Sequence, residues 1–220
     1  MRSLRRGSGN ISRVLEFSRE DLSAADVDRL RQIYEPLTRS VRELIDATIR
    51  TEVEADTVAE VTAQIDAATA RLRTEQMPGP FGVRYTFDAG GMAWGNPVIG
   101  VRNPIAPPVV LNYDDSGKVW TDFHLGAPYE GPPGHVHGGV CALVLDHVLG
   151  EVASGGLTKP AFTGTITCRY LRATRLGDLH AEAVIDRIDG VKTFAVGHLA
   201  DDEGVTVEAE GVFVVPKWAR

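Results

Sequence analysis

The run Gly131-Pro132-Pro133-Gly134-His135-Val136-His137-Gly138-Gly139 leads into residues 140–149, which are apolar on every side except at Asp146 and His147. A carboxylate inside an apolar helix is expensive to desolvate, so it either shifts its pKa upward or finds partners. No cation stands nearby in sequence, and burial of this kind is how a general base is tuned, which favours a functional Asp146 over a structural one. The start of the same helix complements it. Gly138 and Gly139 let backbone N–H groups approach a ligand closely, and unpaired amides together with the helix macrodipole attract negative charge. A carbonyl that gains charge on attack would find its donors there. Gly138 and Asp146 are separated by roughly 12 Å of helix at ~1.5 Å per residue. One helix cannot bring both ends to one carbonyl carbon. Two antiparallel copies across a twofold axis can, which predicts a homodimer with its sites at the subunit interface.

The elements that must hold this helix are legible around it. Residues 17–76 read as a helical extension: Ser23 can cap a run with Val27, Leu30, Ile33 and Tyr34 at helical spacing, Pro36 interrupts it, and a second run follows through Leu72. These helices are expected to pack on the main domain or on a partner subunit. Residues 1–16 read as a disordered tail, and 77–107 as a Gly/Pro-rich linker with short strands around Tyr85 and Ile99. A domain over 108–216 then opens with a strand at 109–113, a turn at Asp114-Asp115-Ser116-Gly117, and a strand from Val119 to Leu125. After the apolar helix come four strand-like runs near 162–172, 178–188, 191–200 and 205–215, read as joined by hairpins. The last alternates, with Thr206, Glu208 and Glu210 between Val205, Val207 and Ala209. The fold class is α+β: an antiparallel sheet with one long helix on a face.

Bulk properties narrow the function classes. A net charge of −7 argues against wrapping nucleic acid or lying on an anionic membrane. Residues 1–76 carry 12 Arg, no Lys and 14 acids without a basic face, which sets aside a DNA-reading helix-turn-helix. No run approaches the ~18 apolar residues that a membrane span needs. Cys141 and Cys168 sit in apolar runs as reduced thiols do, pointing to the cytoplasm. His135 and His137 beside Asp146 lack a third ligand at metal spacing, so no metal is expected. Cys141 reads as core, and His147 as a packed histidine.

His137-Gly138-Gly139, six residues and then Asp146 resembles the signature of the PaaI-like branch of hotdog-fold thioesterases. Gly131-Pro132-Pro133-Gly134 looks especially like the branch containing the human mitochondrial thioesterase-superfamily proteins. The strand order and Thr163-Gly164-Thr165-Ile166-Thr167-Cys168-Arg169-Tyr170 agree, and the resemblance covers about residues 108–216. It implies a hotdog fold and an enzyme of fatty acid metabolism that hydrolyses acyl-CoA, with CoA as part of the substrate and no cofactor. Asp146 would then activate water or attack the thioester itself, and the Gly138 N–H would serve the oxyanion, with Gly139 beside it. His137 would orient that turn or the carbonyl, and Thr163 would position the carboxylate. Several relatives carry Asn where this chain has Gly131, so a second carbonyl donor must come from elsewhere, with His135 a candidate. Arg169 and Arg172, with Arg175 and Lys159, either meet CoA phosphates or are solvated strand and turn residues.

Two other function classes compete: a non-catalytic acyl-CoA-binding regulator or scaffold, and a hotdog enoyl-CoA hydratase. The hydratase's usual helix-entry pairing of Asp and His is absent from the sequence. A mere binder has no need of a buried carboxylate. Acyl chain length and any pairing of dimers into larger assemblies are left open by the sequence.

Overall fold

Strand β5 (Val119–Leu125) buries Val119, Thr121, Phe123 and Leu125 and turns Asp122 and His124 outward, the period-two alternation of a sheet with one packed face. In the computed structural model, which describes residues 18–86, 90–107, 109–156 and 158–220, this strand belongs to a six-stranded sheet. Its other members are β4 (Asn112–Tyr113), β6 (Phe162–Tyr170), β7 (Gly177–Asp189), β8 (Lys192–Asp201) and β9 (Gly204–Val214), and every pairing is antiparallel. The order is β4-β5-β7-β8-β9-β6. The tail expected over 1–16 lies outside the described residues.

One long helix, Gly138–Ser154, fills the concave face of this sheet. Val144, Leu145, Val148 and Leu149 are fully buried against the sheet, among them Leu199, Val207 and Phe213. At roughly 1.5–3 kcal/mol per buried Val or Leu, these four side chains outweigh the ~1 kcal/mol of a good cap, so packing holds the helix in place. It ends where Gly155 adopts φ 61°, a left-handed position that favours glycine. This is the hotdog arrangement.

Two helices precede it: α1 (Ala24–Arg50) and α2 (Ala55–Leu72), so the helix in the sheet is α3. Ser23 caps α1 in a capping box with Asp26, as its sequence suggests. Pro36, however, does not interrupt it. The helix runs straight through, at a local cost of about 3 kcal/mol, because tertiary contacts pin it on both sides. The Arg102 guanidinium stacks 3.7 Å over the Tyr34 ring, and Arg42 Nε donates to the Ala106 carbonyl at 3.1 Å. α1 thus packs on the sheet domain, whereas α2 buries no residue at all.

The segment between extension and sheet carries more structure than its composition announces. Strand β1 (Ser18–Arg19) pairs in parallel with β2 (Arg84–Thr86), which pairs with β3 (Gly90–Met92), and Met92, Trp94 and Val98 are buried. The strand expected around Ile99 is instead a turn. The Asn96 carboxamide accepts from the N–H groups of Val98 and Ile99 at 2.7 and 3.1 Å and so removes them from any ladder. Likewise β4 is only two residues of the five expected, since Val109 N–H turns back to the Pro107 carbonyl. β6 and β7 are not a hairpin: β6 crosses to the far edge beside β9. In β9 the expected alternation holds from Val207 onward. A register shift at Leu199/Ala200 turns Thr206 inward, where it donates to the Leu199 carbonyl and accepts from Thr174.

Candidate active site

The loop before α3 is tied to itself and to the sheet. Gly131 N–H donates to the His135 carbonyl and His137 N–H to the Tyr129 carbonyl, both at 2.9 Å. A side chain at Gly131 is barred, because its Cβ would lie 2.7 Å from His137 Cα. The Asn that relatives place there cannot occupy this backbone. His137 is the N-cap of α3: its Nδ1 accepts from the Gly139 N–H at 3.0 Å, which leaves the ring proton on Nε2 of the exposed imidazole. Val140 and Cys141 N–H return to the His137 carbonyl. Gly138 therefore keeps the helix-start N–H without a partner among the described residues. The Tyr170 hydroxyl donates to the Gly138 carbonyl at 2.7 Å and fixes the following peptide.

Midway along α3 stands Asp146. The expectation of a fully buried carboxylate needs correction: in this chain Asp146 is half-buried. The sheet covers the face bearing Val144, Leu145 and Val148. Gly139, Leu143 and Asp146, at helical spacing, fall on a stripe that the chain leaves uncovered, with Leu143 at 37% exposure. Thr163 Oγ1 donates to Asp146 Oδ1 at 2.9 Å. A bulge between Thr163 and Thr165 in β6 accompanies that aim, since it re-directs one side chain on the bulged strand.

Asp146 and Thr163 open into a cleft of about 240 Å³ whose other walls include Tyr85 and Asn96 from the N-terminal segment and Lys159. His147 and Glu151 also line it. The sequence reading passed over Glu151 altogether. It is 4% exposed, accepts a hydrogen bond from the Tyr113 hydroxyl, and its Oε2 has no partner among the described residues. Burial pushes the Glu151 carboxyl above its ordinary range, an effect the Tyr113 hydrogen bond tempers. Tyr113 is raised in turn by its own burial and by the bond to Glu151. His147 is packed, as expected, but its Nε2 too has no partner among the described residues, and burial lowers its pKa to about 4, so it is neutral at neutral pH. The one signal available in sequence was an acid five residues beyond Asp146 on the same apolar helix.

The remaining candidates lie apart from this cleft. His135 Nδ1 donates to the Pro133 carbonyl at 2.8 Å, and its backbone pairs with Arg175. Arg169 is largely exposed and joined to Glu208. Arg172 grips Asp201, whose side chain is 2% exposed and whose pKa that guanidinium lowers to about 2. Cys141 is core: burial raises its thiol. Among the described residues no three His, Cys, Asp or Glu side chains converge as metal ligands, and no helix is long and apolar enough to cross a membrane.

Comparison with known proteins places this geometry. Residues 133–208 match the sequence model of the thioesterase superfamily. The thioesterase superfamily protein RHA08564, of known crystal structure, is 34% identical over 82% of this chain and 94% of its own, with a TM-score of 0.73. The chain belongs to the thioesterase superfamily. Membership supports a thioesterase-type activity for this superfamily protein. Bacillus halodurans BH2602, solved with CoA, shares 22% identity over 50% of this chain and 76% of its own at a TM-score of 0.46. E. coli PaaI, from the phenylacetic acid degradation operon, shares 14% over 50% and 80%, also at 0.46.

Proposed function

We propose that this protein hydrolyses an acyl-CoA thioester to the free acid and CoA, as a cytoplasmic homodimer with its sites between subunits. The observation that carries the reading is the Asp146 carboxylate, held by Thr163 at 2.9 Å and lining a cleft on the uncovered stripe of α3. Thr163 occupies one lone pair of Oδ1. Oδ2 faces the reaction, either taking a proton from the attacking water or attacking the thioester carbonyl itself to form an anhydride that water then opens. The negative oxygen formed at the carbonyl is received by the Gly138 N–H, supported by the Gly139 turn that His137 caps. Because α3 separates Gly138 from Asp146 by about 12 Å, the oxyanion donor and the carboxylate of one site come from different copies. The bare edge of β6 and the uncovered stripe around Leu143 are consistent with a second copy covering both.

For the CoA phosphates, Arg169 is the better donor, since an exposed ion pair is worth at most about 1 kcal/mol and exchanges readily for a phosphate. Arg172 is held by the buried Asp201 and reads as a structural clamp. His135 stands near the entry loop as a second carbonyl contact.

The test is free-thiol release from acyl-CoAs of increasing chain length and from phenylacetyl-CoA, by wild type and Asp146→Asn. Turnover that falls at least ~100-fold in the variant supports the reading. No turnover on any of them by a folded dimer sinks it and favours an acyl-CoA-binding regulator. A single turnover in oxygen-18 water bears on the two roles: label in Asp146 marks a nucleophile whose anhydride opens at the aspartyl carbonyl. Label only in the product acid fits a base or an anhydride opened at the acyl carbonyl, which hydroxylamine trapping of the anhydride distinguishes.

A further inference from the structure

Glu151 and His147 are four residues apart and share one face of α3. Both line the cleft that holds Asp146 and Thr163, and each carries a buried polar atom, Oε2 and Nε2, with no partner among the described residues. Buried polar atoms are nearly always satisfied, since an unpaired one loses its hydration with nothing in return. Replacing Glu151 by an apolar residue would remove that penalty, so stability alone does not explain it. A hydroxyl, like a water, can satisfy both atoms at once, donating to one and accepting from the other. With His147 neutral, its Nε2 accepts or donates according to tautomer, and the Glu151 carboxyl does the same according to protonation.

Resting on the thioesterase reading, we infer that Glu151 and His147 form the distal end of the acyl site and select acyl groups that carry a hydroxyl far from the thioester. Distance sets which hydroxyl is meant. Glu151 lies about 7.5 Å along the helix beyond Asp146 at ~1.5 Å per residue, too far for a substituent beside the carbonyl. The size of the cleft agrees. At about 240 Å³ it has room for a short acyl group. Tyr113 holds the other oxygen of Glu151.

The experiment measures binding of 6-hydroxyhexanoyl-CoA and hexanoyl-CoA by calorimetry to the Asp146→Asn protein, which is expected to hold substrate without hydrolysing it. The hydroxylated ligand should bind at least ~10-fold tighter, the scale of one satisfied buried hydrogen bond. Adding Glu151→Leu should erase that ratio, and adding the near-isosteric Glu151→Gln should retain part of it. Glu151→Gln also guards against misfolding of the Leu variant. Equal affinities in the Asp146→Asn protein, as expected if the pair merely holds a water, overturn this inference and leave the thioesterase reading standing. A preference that survives Glu151→Leu also overturns it. If neither ligand binds, this inference falls, and the turnover panel alone decides the thioesterase reading.

Discussion

Asp146 and Glu151 stand on the same helix, line the same cleft, and meet opposite surroundings. Asp146 lies on the stripe that the sheet leaves open, half-buried, with the Thr163 hydroxyl on one oxygen. Glu151 is sealed at 4% exposure, shares one oxygen with Tyr113, and is pushed upward by burial. Five residues of helix therefore separate a carboxylate at the open mouth of the cleft from one buried in its wall. The difference teaches that apolar neighbours in sequence do not fix a carboxylate's environment. What fixes it is which side of α3 the curved sheet happens to cover.

The sharpest break of this comparison is at the open end. Asp146→Asn should lower turnover by at least ~100-fold, equivalent to about 2.7 kcal/mol of barrier, while the protein stays folded. Next comes its hydroxyl partner. Thr163→Ala should reduce kcat by roughly 10-fold, as expected for a hydrogen bond to a charged group that is only partly expressed in the barrier. Thr163→Ser should restore most of that loss. A Thr163→Ala protein with unchanged kcat would show that the hydroxyl has no part in positioning Asp146.

The sealed end should speak through stability. A carboxyl whose folded pKa lies above its unfolded value of 4.5 holds more protons folded than unfolded. Its contribution is therefore present below pH 4.5 and lost as pH rises through the folded value. Urea midpoints of wild type should fall relative to those of Glu151→Gln as pH rises above 4.5. Parallel curves would mean Glu151 is not perturbed. His147 has the opposite sign. Its pKa drops from 6.5 to about 4, so the folded protein binds fewer protons in that window. Stability is full above pH 6.5 and lost as pH falls toward 4, and His147→Phe should flatten that slope.

Much of this architecture was legible. β5 begins and ends at Val119 and Leu125 as read, because its alternation is undisturbed over the whole strand. The strands near 178–188 and 191–200 were likewise found, since turn residues bound them. Pro36 misled, because a proline's local cost is visible in sequence while the contacts of Tyr34 and Arg42 that offset it are not. The 163–165 bulge, the crossover of β6 and the inward turn of Thr206 are decisions about register, made between strands far apart in the chain. At the site, His137, Gly138, Gly139 and Asp146 are visible as one contiguous motif because a single helix carries them. Glu151 with Tyr113, and Tyr85 with Asn96, are not, because 38 residues part the first pair and the second reaches the cleft only through the folded segment between extension and sheet.

By itself, then, the sequence determined that one apolar helix would be wrapped by an antiparallel sheet and would carry a carboxylate behind a glycine-rich start. Periodicity and helix termini are local properties, set within a few turns of chain. Only the tertiary structure decided that Asp146 would face the open stripe and meet Thr163, that Gly131 would press on His137 with no room for a side chain, and that Glu151 would be sealed with one oxygen unpaired. Each of these depends on which surfaces the packed sheet and extension bring against α3, and burial is a property of the packed whole.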